Sequence, residues 1–142
     1  MIAEIRTAIK NKLDTLKWTG KPLVNVFDYF PINLAWYPSV MFEPAWLENS
    51  YMTTWDNYRT YKFKLVILQE FSTITRQRAI EILVNAFDQV VYEFDKDYTL
   101  WWVIDKLDAV PGDFGSFQFE SWLAVFFEIL LSCSVLKPIN TL

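Results

Sequence analysis

Tyr58-Arg59-Thr60-Tyr61-Lys62-Phe63-Lys64-Leu65-Val66-Ile67-Leu68 is the stretch that decides the fold class. Tyr61, Phe63, Leu65 and Ile67 fall on one side of an extended chain, and Thr60, Lys62 and Lys64 on the other, the period-two pattern of a half-buried strand. From Val66 to Leu68 both sides are apolar, so the strand, read as Tyr58–Phe71, runs from a half-exposed into a covered position. A helix follows. Ser72-Thr73 is a start signal. Ile80, Leu83, Val84, Phe87, Val91 and Phe94 recur at helical spacing, while Arg76, Arg78, Glu81, Asn85, Asp88 and Glu93 populate the solvent side. A strand feeding an amphipathic helix, with a second apolar strand closing the chain, describes a small sheet with helices laid on one face.

Working outward, residues 2–17 read as a first helix. Ile2, Ile5, Ile9, Leu13 and Leu16 form its apolar stripe, Glu4, Arg6, Lys10, Lys12 and Asp14 its solvent side, and Gly20 and Pro22 its end. Leu23–Phe30 reads as a strand stopped by Pro31, and Ala35–Phe42 as another, in which Pro38 marks an edge or a bulge. Residues 43–57 show no clean period. Long irregular segments of this kind tend to be either functional or disordered; Trp46, Tyr51, Met52 and Trp55 argue against disorder, and we expect an extended hairpin arm or a docking loop. Toward the C-terminus, Asp95-Lys96-Asp97 turns the chain into a short helical turn and then a strand over 105–110. Pro111-Gly112-Asp113 with Gly115 predicts a tight turn. The last strand is Phe119–Val135. Leu123, Val125, Phe127, Ile129, Leu131 and Cys133 lie on one face, and Trp122, Ala124, Phe126, Glu128 and Leu130 on the other. Both faces are largely apolar, which places this strand centrally or against a neighbouring subunit. The expected fold is therefore α+β: a small, mostly antiparallel β-sheet with two main α-helices on one face, one domain over residues 1–142.

Composition narrows the function classes. With 53% hydrophobic and 21% charged residues the chain is not of the disordered class. Aromatics at 18% exceed what one small core encloses, so some rings are expected at contacts with partners, in an obligate oligomer. The 13 basic residues are scattered and the formal charge is −4, which argues against the basic face of a nucleic-acid binder. The chain has no histidine and a single cysteine. That excludes Ser-His and Cys-His nucleophiles, His-bearing and Cys-rich zinc sites, and an intramolecular disulfide. Cys133, in an apolar strand, reads as a small buried hydrophobe. The N-terminus has a helical period with an early acid, unlike a signal peptide. Trp122–Leu136 falls short of the ~20 apolar residues of a membrane span and has Glu128 in its middle.

The remaining motifs are weak. Asp95 and Asp97 open like a calcium loop, but Leu100 stands where that loop needs glycine and Lys106 where it needs glutamate. Asp113-Phe114-Gly115 copies the kinase magnesium triplet without its companions. Glu43 and Glu48 lie beside aromatics that stack on sugars, which leaves a hydrolytic or carbohydrate-binding domain using the Glu43–Tyr58 segment as one alternative. Glu128 needs a partner within its apolar strand, and Lys62, Lys64 or Arg59 is expected to supply it.

With the elements in this order, the chain resembles the tail terminator (tail completion, head–tail joining) proteins of long-tailed bacteriophages. The resemblance lies in the helix Ile2–Leu16, the strand Tyr58–Ile67, the helix Arg78–Phe87, the approach Asp97-Tyr98-Thr99-Leu100 into Val103-Ile104-Asp105-Lys106-Leu107, and the closing strand Trp122-Leu123-Ala124-Val125-Phe126-Phe127-Glu128-Ile129. It implies a non-enzymatic virion protein without catalytic residues, cofactor or metal. Such proteins form hexameric rings that cap the tail tube, stop its polymerisation and present a surface to the head connector. The implied partners are further copies of the chain, the tail tube protein and a neck protein, met first in the host cytoplasm and then in the virion. Trp46, Tyr51, Trp55, Tyr58, Trp101 and Trp102 are the candidate anchors at those contacts. The Trp101-Trp102 pair and the Trp46–Trp55 segment depart from the family pattern, which leaves another neck, head-completion or minor tail protein as the second alternative.

Overall fold

Alternation and pairing organise the chain into two long hairpins. The computed structural model describes residues 2–16, 23, 25–27, 38–51, 56–71, 75–97, 99–100, 103–119 and 122–138. In chain order the elements are α1 (Ile2–Asp14), β1 (Asn25–Phe27), β2 (Ser39–Tyr51), β3 (Asp56–Glu70), α2 (Arg76–Lys96), β4 (Lys106–Phe119) and β5 (Trp122–Pro138). They form a five-stranded sheet in the order β1-β2-β3-β5-β4. β2, β3, β5 and β4 are antiparallel, and short β1 runs parallel to the first residues of β2, with Asn25 opposite Ser39. The fold is a small α+β arrangement.

Both helices pack on one face of the sheet. Tyr61, Phe63, Leu65 and Ile67 of β3 meet Val125, Ile129, Leu131 and Cys133 of β5 there, under Ile5, Ile9 and Leu13 of α1 and Leu83, Val90 and Phe94 of α2. Phe42, Phe63 and Phe94 are among the largest side chains fully removed from water, each contributing roughly 1.5–3 kcal/mol through burial. Thr75 caps α2, its hydroxyl accepting from the Arg78 amide at 3.1 Å. At the other end the Asp97 amide donates to the Phe94 carbonyl, and Leu100 takes a left-handed φ of 47° while fully buried. Such a backbone costs about 1 kcal/mol or more, offset here by the burial of the leucine side chain.

The expected strand over 58–71 is β3, and the closing strand is β5, central between β3 and β4 as its two apolar faces imply. The first helix starts where expected and ends at Asp14, three residues short of the expected 17. Of the 23–30 strand, Asn25–Phe27 is described as β1; residues 24 and 28–30, like 35–37 of the next expected strand, lie outside the described residues.

Several boundaries and faces change. Residues 43–51, without a period in sequence, continue β2 and pair with β3 down to Tyr51 opposite Asn57, so the hairpin-arm expectation describes them and the irregular loop does not. The register shifts between Pro44 and Trp46; a bulge resets the alternation, and no single period reads through it. The tight turn expected at Pro111–Gly115 is absent for the same reason. β4 runs through it, with a register shift between Pro111 and Phe114. β4 is an edge strand and Pro111 adjoins its bulge, both of them places where a sheet tolerates a proline. A Cβ on Gly112 would stand 2.9 Å from the Glu128 Cβ, and one on Gly115 would stand 3.1 Å from the Phe126 ring. The glycines are there for strand-to-strand approach.

On α2 the buried stripe is Ala79, Leu83, Ala86, Val90 and Phe94, with Ile80, Phe87 and Val91 partly buried and Val84 exposed. The small alanines let the helix sit close, which rotates the expected stripe by one position. Residues 72–74 lie outside the described residues, and the observed cap is Thr75. On α1, Ile2 is exposed, and Lys12, expected in solvent, is buried. Position 12 follows Ala8 by four and Ile9 by three, so helical geometry turns it inward. Its Nζ lies 3.5 Å from Asp97 and 3.6 Å from Glu93, at the C-terminal end of α2 where a cation is favoured.

Candidate functional site

The sheet has a second face, away from the helices. Strand alternation puts Thr60, Lys62, Lys64, Val66 and Leu68 of β3 there, level with Ser134, Ser132, Leu130, Glu128 and Phe126 of β5. No described helix packs against it. Met41, Leu68 and Ala124 form a small buried cluster with Val66 and Phe126 at one end of this face. Leu130 is half-buried, and Val110 of β4 beside it is 49% exposed.

Glu128 organises the centre. One carboxylate oxygen lies 3.0 Å from the Lys64 Nζ on β3, and the other accepts from the Asp113 amide of the β4 bulge at 3.4 Å. One side chain therefore ties three strands together, which explains how an acid is held in an apolar strand. Of the three cations expected to partner it, Lys64 does so. Nearer the hairpin tip, the Thr60 and Ser134 hydroxyls are 3.1 Å apart and share a hydrogen bond.

The candidate aromatic anchors distribute unevenly. Trp46, Tyr51 and Tyr58 have described backbones in the distal half of the β2–β3 hairpin, where Trp46 is opposite Lys62, Tyr51 opposite Asn57, and Tyr58 opposite both Ser50 and Leu136. Their side chains lie outside what is described, as do residues Trp55, Trp101 and Trp102 entirely. The backbone thus brings three of the six candidates onto one arm. Val110 and Phe114, both exposed on the edge strand, were not among the candidates. Pro111 was the available signal, since a proline inside a strand pattern marks an edge. Phe114 leans on Phe127, which stacks on Phe87 of α2 at 4.1 Å.

The residues weighed for chemistry do not converge. The backbones of Glu43 and Glu48 stand opposite Lys64 and Thr60, four residues apart along β3 or roughly 13 Å of strand. Asp97 ends α2 and faces Lys12. Among the described residues no group of three or more His, Cys, Asp or Glu gathers. Cys133 is fully buried, and burial pushes its thiol up to about 12, so it stays protonated and inert in the folded chain. A shallow cleft of about 360 Å³ beside α1, lined by Ala3, Glu4, Thr7, Ala8, Asn11 and Val103, presents Glu4 as its one charge among these residues. Among the described residues no helix is long and apolar enough to cross a membrane; the apolar run near the C-terminus is β5. No protein-family model matches the chain, and no curated protein matches it.

Proposed function

We propose that this chain is a structural virion protein of the tail terminator kind, whose copies close into a hexameric ring that caps a phage tail tube and offers its other surface to the head connector. Its action is geometric: a closed ring withholds the docking site the next tube subunit needs, so elongation stops. One observation supports the reading above others. The sheet carries strands of 13–17 residues (β2–β5) with helices on a single face, and among the described residues the other face keeps Val66, Phe126, Leu130 and Val110 only partly covered. A half-covered apolar face beside an aromatic arm suits contact with copies and partners, and a ring needs no reactive side chain. Addition of the purified protein to polymerising tail tube protein tests this reading. Short, capped tubes with a ring at one end are expected; tubes of unchanged length with no bound protein contradict it.

A further inference from the structure

We propose that the ring closes by β-augmentation, with the outer edge of β4 in one copy pairing antiparallel with the outer edge of β2 in the next; this rests on the ring reading above. Among the described residues two edges of the sheet are left without a strand. β4 pairs only with β5 along its whole length. β1 pairs with Ser39, Val40 and Met41 of β2, and among the described residues no strand lies along that edge from Phe42 onward. Open edges present rows of backbone donors and acceptors that another strand satisfies. A head-to-tail ring needs two unlike patches on each copy that fit one another, and the two ends of one sheet are such a pair.

Three features favour a second copy as the occupant. The first is direction. β2, β3, β5 and β4 are four strands that alternate, so around an axis parallel to the strands the next copy's β2 runs opposite to β4, in the stabler antiparallel sense. An odd number of strands would break this alternation.

The second is height. Following the register across the sheet, Glu48, Thr60, Ser134 and Lys106 stand at one level, and Phe42, Leu65, Ile129 and Pro111 at another. The open run of β2 from Phe42 to Glu48 is therefore level with the unbulged run of β4 from Lys106 to Pro111. The stretch of β2 already filled by β1 is level with the β4 bulge and the residues just past it, Phe114 and Gly115. Each blocked stretch faces a blocked stretch. Pro44 and Pro111, which have no amide hydrogen to give, confine the ladder to the tip side, Trp46–Glu48 against Lys106–Asp108.

The third is charge. Register alone puts position 48, a glutamate, opposite position 106, a lysine, of the next copy, the residue types of an opposite-charge cross-strand pair. Within its own chain Lys106 has an exposed contact to Asp108 at 3.5 Å, which holds it only loosely.

A charge-swap cycle tests this. Lys106→Glu and Glu48→Lys are each expected to weaken ring association about threefold to tenfold by sedimentation, and the double swap to restore it to within about twofold. Thermal melting of the subunit should not move for Lys106→Glu, since Lys106 is exposed. Hydrogen exchange should slow at the amides of 46–48 and 106–108 on assembly. Rings that form normally in both single variants, or edges that gain no protection, overturn edge pairing and leave the ring reading standing. Protection that arrives only with tail tube protein assigns the edges to that partner and overturns self-pairing. A wild-type chain that stays a monomer with and without tubes removes the ring reading, and this inference with it.

Discussion

The two faces of the sheet share strands, register and backbone, yet they differ in what they bury. On the helix side Phe63, Leu65, Ile67, Ile129 and Leu131 are fully removed from water. On the other side their immediate neighbours Lys62, Lys64, Val66, Leu130 and Ser132 are only half covered. Burial is concentrated on the first face, and among the described residues the second keeps partly exposed side chains. The difference shows that a strand with apolar residues on both sides, such as β5, does not imply two equal cores. One side meets helices, and the other holds a small cluster, an ion pair and partly exposed apolar residues.

Substitutions sharpen that contrast. The largest effect is expected from Phe63→Ala, which removes a fully buried ring and should destabilise by about 3–5 kcal/mol in urea unfolding. Lys62→Ala beside it on the open face should stay within about 0.5 kcal/mol. Equal losses would mean that the two faces are equally buried. Next is Lys12→Ala. The lysine is held between Glu93 and Asp97, and its loss leaves two facing carboxylates at one end of α2. A cost of about 2 kcal/mol is expected, with Lys12→Arg recovering part of it.

Gly112→Ala should cost about 1–2 kcal/mol by forcing a Cβ against that of Glu128. Glu128→Gln follows at about 1 kcal/mol, through loss of the Lys64 contact and weakening of the bulge. An unchanged Glu128→Gln variant would show that the carboxylate sets neither. The smallest effect near neutral pH comes from Cys133. Its thiol is raised on folding from 9.0 to about 12, so above pH 9 the unfolded chain releases a proton that the folded chain keeps. Below pH 9 this group leaves stability flat; between about 9 and 12 it removes stability with rising pH, at up to about 1.4 kcal/mol per pH unit. Cys133→Val should flatten that limb, and a thiol reagent at pH 8 should label the wild-type chain only after unfolding.

Much of this contrast was legible in the residues. The alternation of Tyr61, Phe63, Leu65 and Ile67 against Thr60, Lys62 and Lys64 marked both faces of β3, and Glu128 stood out as an acid needing a lysine. Legibility ended at two bulges. Around Ala45 and Gly112 an extra residue shifts the alternation, so a continuous strand reads as a loop in one place and as a turn in the other. Charge is misleading at Lys12: a lysine is rarely buried, yet its helical position beside Ala8 and Ile9 turns it inward. The rotation of the α2 stripe was hidden because Ala79 and Ala86 carry little hydrophobic signal while permitting the closest approach. Of the candidate anchors, only the backbone placement of Trp46, Tyr51 and Tyr58 on one arm bears on the site.

The measurement that tests the account most directly is the mass of the purified chain in solution, with negative-stain images of the same sample beside tail tubes. A closed particle near six times the 16.9 kDa subunit, seated on tube ends, is the predicted result. A lone 16.9 kDa species at every concentration, with bare tube ends that keep growing, would contradict it.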